Sequence, residues 1–171
     1  TLLPGTQGRG SLGVSTDGRL LAAATCADLG PTARVWDVSS GRLVAESPQG
    51  VCGTAVGIDP AGTRLAVQTL APVNPNVLVM SIETGEVLHE MTHAATWHGA
   101  ATFSPDGSRL LTVGSTGIGR VWDAESGDLL LSLQGHDGAV ERAQWSADGS
   151  TIVTSGQDGT ARLWDAATGE M

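Results

Sequence analysis

His136, Ser155 and Asp158 bring an imidazole, a hydroxyl and a carboxylate into one stretch of chain. Acyl-transfer enzymes combine these three groups as base, nucleophile and orienting acid. His89, His93 and His98 form a second cluster, of the type that could hold a metal ion. The segment GSTGIG (114–119) has the glycine content of a phosphate-cradling loop. Each chemistry needs its own scaffold. The histidine spacing suits neither a helix face nor a closed zinc motif, and no cysteine lies near. No helix follows GSTGIG to present its N-terminus to a phosphate, so a plain turn is the better reading. No nucleophile elbow or spaced acid pair falls on one coherent face.

The elements that must position these groups are short strands. Thr151–Ser155 is a β-branched apolar run, Gly156-Gln157-Asp158-Gly159 is a turn, and Ala161–Trp164 alternates again before a turn ending at Gly169,. A two-stranded unit of this size cannot bury a face alone. The chain repeats it. LLTVGSTGIGRVWDAESGDLL (110–130) matches it, LLAAATCADLGPTARVWDVSSGRLV (20–44) matches with a longer turn, and RLAVQTLAPVNPNVLVMSIETGEVL (64–88) matches with Val79-Met80 in place of Trp-Asp. Gly18, Gly62, Gly107 and Gly149 mark a turn upstream of each copy, after apolar runs at Leu12/Val14, Val56/Ile58, Ala101/Phe103 and Ala143/Trp145. Each unit therefore reads as four short antiparallel strands in about 40–45 residues, the period of a propeller blade.

Composition narrows the functional classes. The 171 residues carry a net charge of −9, with 40% hydrophobic residues and 24 glycines, which is a globular balance,. All nine basic residues are arginine. Six sit at repeated positions: Arg19, Arg64 and Arg109 after the glycine turn, and Arg34, Arg120 and Arg162 two residues before an apolar position. They belong to the repeat and form no basic patch, which argues against phosphate neutralisation and nucleic acid as partner. No apolar window is long enough for a transmembrane helix, and TLLPGTQGRG lacks the regions of a signal peptide. The expectation is a cytoplasmic protein with no membrane contact. The lysine-free, Ala/Gly/Arg-rich usage is compatible with a GC-rich bacterial genome. Cys26 and Cys52 belong to no CxxC and read as reduced core or turn residues.

These residues resemble the WD-repeat (WD40) family. Gly135-His136 followed by Trp164-Asp165 stands in the last copy, Trp-Asp recurs at 36–37 and 122–123, and FSPDG (103–107) and WSADG (145–149) look like the first turn of that family. The resemblance covers essentially the whole chain and implies an all-β, β-propeller fold with four WD40-type blades. The blades are expected at about 9–46, 51–91, 94–133 and 134–171, in a single unit. Blade 4 stops before its fourth strand, which Thr1-Leu2-Leu3 would supply. Three arrangements stay open: half of an eight-bladed ring closed by a second chain, a fragment of a larger ring, or a tight four-bladed ring.

The resemblance also implies a structural tetrad, His136, Ser155, Asp158 and Trp164, tying the loop that leads into blade 4 to its third strand. That role sets aside the catalytic reading, so no catalytic residue, metal or cofactor is expected. Length variation falls on the loops leading into blades and on the turns between second and third strands, which share one end of a propeller. Variable loops on a constant scaffold are where recognition lives. Trp97, Arg142, Glu141 and Asp137 are the candidate partner-binding residues on that end. The functional expectation is a non-catalytic scaffold for proteins or peptides, with self-association through blade edges as a homodimer. The alternatives are a ligand-binding or hydrolytic propeller with a site at the central channel, and an engineered or assembly-only module that dimerises to close a ring.

Overall fold

The computed structural model describes residues 11–24, 33–48, 52–70, 76–92 and 99–171. Within them the chain forms fifteen strands in four antiparallel sheets. Blade 1 is β1 (Ser11–Val14), β2 (Leu20–Ala24), β3 (Ala33–Asp37) and β4 (Leu43–Glu46). Blade 2 is β5 (Cys52–Ile58), β6 (Arg64–Leu70), β7 (Asn76–Ser81) and β8 (Val87–Thr92). Blade 3 is β9 (Ala101–Phe103), β10 (Arg109–Thr112), β11 (Ile118–Asp123) and β12 (Leu129–Gln134), and blade 4 is β13 (Val140–Trp145), β14 (Thr151–Gly156) and β15 (Ala161–Asp165). Strands follow one another in sheet order, the all-hairpin connectivity of a propeller blade,. The fold is all-β, a four-bladed β-propeller arrangement. Residues 1–3, the expected fourth strand of blade 4, lie outside the described residues.

Two turn chemistries make the blades regular. In the first, Ser146 Oγ donates to Asp148 Oδ1 at 2.6 Å while the Thr151 N–H donates to Ser146 Oγ at 3.0 Å. The same pattern ties Ser15 to Asp17 and Ser104 to Asp106. Gly18, Gly107 and Gly149 close these turns at φ of 70–74°, a region that only glycine enters without strain,. Blade 2 has no serine there. Asp59 takes both roles and accepts from the Thr63 and Arg64 N–H groups at 2.7 and 2.8 Å. In the second chemistry, the Asp of each Trp-Asp pair accepts hydrogen bonds through Oδ1 from the turn after it. Asp165 Oδ1 takes the Ala167 and Thr168 N–H groups at 2.9 and 2.8 Å, and Asp123 does the same with Glu125 and Ser126. An Asx turn of this kind explains why a short side-chain acceptor such as Asp follows the tryptophan.

Register corrects one expected alignment. Leu21 pairs with Trp36, Leu110 with Trp122 and Ile152 with Trp164; the corresponding pair in blade 2 is Leu65 with Met80. Met80-Ser81, not Val79-Met80, therefore stands in the Trp-Asp position. The ladder counts from the turn, where Ser81 N donates to Glu86 O just as Asp165 N donates to Glu170 O. Met80 fills the indole's place and is completely buried.

The core is three sheet-on-sheet joints, each a separate hydrophobic cluster. At every joint the face of one blade that points away from its tryptophan position meets the tryptophan-side face of the next. Ala22 and Val35 of blade 1 pack with Leu65 and Met80 of blade 2. Ala66 and Val79 of blade 2 then pack with Leu110 and Trp122 of blade 3, and Leu111 and Val121 of blade 3 with Ile152 and Trp164 of blade 4. Strands buried on both faces read as near-continuous apolar runs, as LLAAA in β2 does,.

Arginine adds a polar clasp at two joints. Arg64 Nε donates to Asp59 Oδ2 at 3.1 Å, while its terminal nitrogens donate to Gly107 O at 2.7 Å and Ala124 O at 2.9 Å in blade 3. Its guanidinium also lies 5.4 Å from the centre of the Phe103 ring,. Arg109 of blade 3 donates to Ala166 O of blade 4 at 2.6 Å. The corresponding position in blade 4 is Thr151.

Candidate functional site

The polar network of blade 4 starts from Trp164. Its Nε1–H donates to Thr154 Oγ1 at 2.8 Å, Thr154 Oγ1 lies 2.8 Å from His136 Nε2, and His136 Nδ1 lies 2.9 Å from Asp158 Oδ2. A carboxylate only accepts, so the network places a hydrogen on Nδ1; the Thr154 hydroxyl then gives its own hydrogen to Nε2. Asp158 also accepts from the N–H of Asp137 and from the N–H and hydroxyl of Thr160. Burial opposes ionisation of Asp158, but these donors and His136 outweigh it and hold the carboxyl well below the usual carboxylate range,. The effect is to bolt the loop before β13 onto the turn between β14 and β15.

The hydroxyl in this network is Thr154 and not the expected Ser155. Adjacent residues of a strand face opposite sides. Thr154 is opposite Arg162 on the tryptophan side, whereas Ser155 is opposite Ala161 on the other side. The same half of the network recurs in blade 3, where Trp122 Nε1 donates to Thr112 Oγ1 at 2.8 Å. In blades 1 and 2 the position holds Ala23 and Val67, which carry no hydroxyl. A threonine ten residues before the tryptophan was the signal available in the sequence, and it is present in both blades 3 and 4.

Beside this network the inner strands β1, β5, β9 and β13 border a groove of about 650 Å³. Glu141 and Arg142 line it together with Gln144, Ser155, Gly57 and Gly99. A bulge between Val140 and Arg142 breaks the alternation of β13, so both charged residues are exposed one after the other,. Glu141 Oε1 accepts from Gln157 Nε2 at 3.3 Å, and no ion pair joins Glu141 to Arg142 among the described residues. Asp137 is exposed in the loop before β13, and its N–H donates to Asp158 Oδ2 at 3.1 Å. Trp97 lies outside the described residues, as do His93 and His98.

The loop before β13 adjoins the turns of two blades. Gln157 N donates to Ala139 O at 2.8 Å within blade 4, and Val140 N donates to Gly114 O of blade 3 at 3.0 Å. Asp137, Glu141 and Arg142 are thus gathered at one end of the array. Among the described residues no three His, Cys, Asp or Glu side chains converge as a metal site would require, and no helix is long and apolar enough to cross a membrane.

Residues 127–165 match the family model described as WD domain, G-beta repeat. No curated protein matches the chain. The matched segment begins in the turn before β12 and ends with β15, so one repeat of sequence spans the outer strand of blade 3 and the three inner strands of blade 4. The match and the four blades together agree with the WD-repeat family that the sequence resembles.

Proposed function

We propose that this protein is a non-catalytic interaction platform, a WD-repeat propeller unit that binds proteins or peptides at the end where Asp137, Glu141 and Arg142 are gathered. The observation that carries this reading is the β13 bulge. It exposes two successive charged side chains beside an apolar joint and next to loops that are tied down by the Asp158 network. Charges held on a rigid element at a groove are suited to recognising a polar segment of a partner at low entropic cost.

The His136–Thr154–Trp164 chain supports a non-catalytic role. The threonine hydrogen and the histidine nitrogen are consumed in holding one another, and the threonine oxygen is further occupied by the indole N–H. A nucleophile and base for hydrolysis would have to be free to face the groove. The same reading places the protein in the cytoplasm of a bacterium and includes self-association into a homodimer.

The test is affinity capture with the wild-type chain and with Trp97→Ala, Arg142→Ala and Glu141→Lys. Loss of a reproducibly captured partner in these variants, with the fold intact by circular dichroism, is the expected result. Undiminished capture by all three removes this end from consideration.

A further inference from the structure

Five aspartates in this chain precede a glycine: Asp17, Asp106, Asp137, Asp148 and Asp158. That dipeptide has a latent reaction of its own. The glycine nitrogen, with no side chain to shield it, attacks the carboxyl carbon of the aspartate and closes a five-membered ring. Three conditions govern the reaction. The carboxyl group must be able to turn toward the nitrogen, the nitrogen must not be held elsewhere, and the carboxyl must be protonated so that its OH departs.

Four of the five pairs are held out of this reaction by their turns. Asp17 Oδ1 accepts from Ser15 Oγ at 2.6 Å and from the Arg19 N–H at 2.9 Å, while the Gly18 N–H donates to Ser15 O at 2.9 Å. Asp106 is fixed in the same way by Ser104 and Ser108, and Asp148 by Ser146 and Ser150. The Gly107 and Gly149 N–H groups donate to Ser104 O and Ser146 O. Asp158 is fixed by Thr160, His136 and the Asp137 N–H, and the Gly159 N–H donates to Gly156 O at 3.2 Å. The serine hydroxyls also keep the Asp17, Asp106 and Asp148 carboxyls below the usual carboxylate range, so their protonated form is scarce,.

Asp137-Gly138 is built differently. Both residues are exposed. Gly138 has a φ of 122°, whereas Gly18, Gly107, Gly149 and Gly159 lie at 70–75° in their turns. The pair is pinned on either side of the reacting atoms: the Asp137 N–H donates to Asp158 Oδ2 at 3.1 Å, and Ala139 O accepts from the Gln157 N–H at 2.8 Å. Among the described residues no donor holds the Asp137 carboxyl and no acceptor takes the Gly138 N–H.

We infer that Asp137 is a site of self-modification, where the folded chain converts an ordinary aspartyl link into a β-linked isoaspartyl one. The Gly138 nitrogen bonds to Asp137 Cγ, and the bond from Cγ to its hydroxyl oxygen breaks. The N–H proton and that OH leave together as one water. A second water then opens the ring. Attack at Cγ restores aspartate; attack at the main-chain carbonyl leaves the chain running through Cβ and Cγ, with the α-carboxylate as the side group. No oxidant, reductant or cofactor enters. The product has one more methylene in the main chain between the Asp158 and Gln157 anchors, beside the exposed Glu141 and Arg142. The reaction does not depend on that end of the array binding a partner.

Incubation of the folded chain in heavy-oxygen water tests it. Each passage through the ring leaves one heavy oxygen atom in the residue, and peptide mapping reads the label site by site. Label at Asp137 is expected to exceed that at each of the other four aspartates by about tenfold or more, because their turns must open before they react. The β-linked isomer of the Asp137 peptide is resolved as a second species of equal mass. In urea that unfolds the chain, the five sites label at similar rates. Asp137→Glu, which would have to close a six-membered ring, loses the label at that position. The inference is overturned by an unlabelled Asp137 in the folded chain, by a turn aspartate that labels as fast, or by label with no second peptide. A lead of Asp137 that persists undiminished in urea overturns it too, since the fold would then not be its cause.

Discussion

Arg64 reaches from the second blade to the carbonyl of Gly107 in the third, at 2.7 Å across 43 residues of chain. Asp59 holds the same guanidinium from behind, and its own side chain is 2% exposed. Arg64→Ala removes two carbonyl acceptors' partner and leaves a buried carboxylate facing no cation. The expected loss is about 2–3 kcal/mol in urea unfolding. Arg19, its counterpart in blade 1, has a side chain that is 70% exposed and makes one ion pair with Asp37 at 3.5 Å; Arg19→Ala is expected to cost less than about 0.5 kcal/mol.

Thr154→Val keeps the shape of the side chain and removes the oxygen that joins Trp164 to His136. Two buried polar groups lose their partner, and unfolding free energy drops by about 2–4 kcal/mol. Ser155→Ala, one position along and on the other face, changes stability by no more than about 0.5 kcal/mol. Equal losses in the two variants would show that the hydroxyl of the network has been assigned to the wrong residue.

Gly57 is a matter of room. A Cβ built there overlaps Ala101 O of the neighbouring inner strand, whereas one built at Gly13 sits 3.2 Å from Val56 O. Gly57→Ala is expected to destabilise by about 1–3 kcal/mol through overpacking and Gly13→Ala by less. Thermal melts of the two variants side by side decide it.

Acid weakens the turns before it weakens the core. Hydrogen bonds from Ser104 and Ser108 bring the Asp106 carboxyl from 3.8 down to about 2, and those from Ser146 and Ser150 do the same for Asp148. Asp59 is lowered too: burial raises it, but the donors from Arg64 and Thr63 outweigh that. Each group ionises more readily folded than unfolded, so the unfolded chain binds more protons and stability rises with pH through this range. The full contribution is present above about pH 4 to 5 and is lost as pH falls through 3.8 toward 2. Denaturation midpoints measured from pH 7 down to 2 should be level at first and then decline; a decline beginning near pH 6 would implicate histidine instead.

The blade pattern was legible because three separate signals coincide in it. Asp-Gly turns, Trp-Asp turns and apolar runs recur in step, and each has a local cause within a few residues. The position of Met80 was harder, since ETGEVL after it resembles its counterparts but the Trp-Asp pair itself is gone; only ladder register fixes it. The network hydroxyl was missed for a similar reason. Thr154 and Ser155 are neighbours with the same chemistry, and choosing between them requires knowing which side of β14 faces the indole. The clasp formed by Arg64 was visible as a repeated arginine but not as a contact, because its acceptors are backbone carbonyls of another blade and leave no trace in side-chain identity.

The offset between the matched repeat and the blade has a consequence for how such a chain can change over time. A segment such as 127–165 carries the outer strand of one blade and the inner strands of the next. A gene duplication that copies one such segment therefore brings its own hairpin seam on both sides. The array can gain or lose units by recombination at any repeat boundary, and the new neighbours meet surfaces already selected to fit.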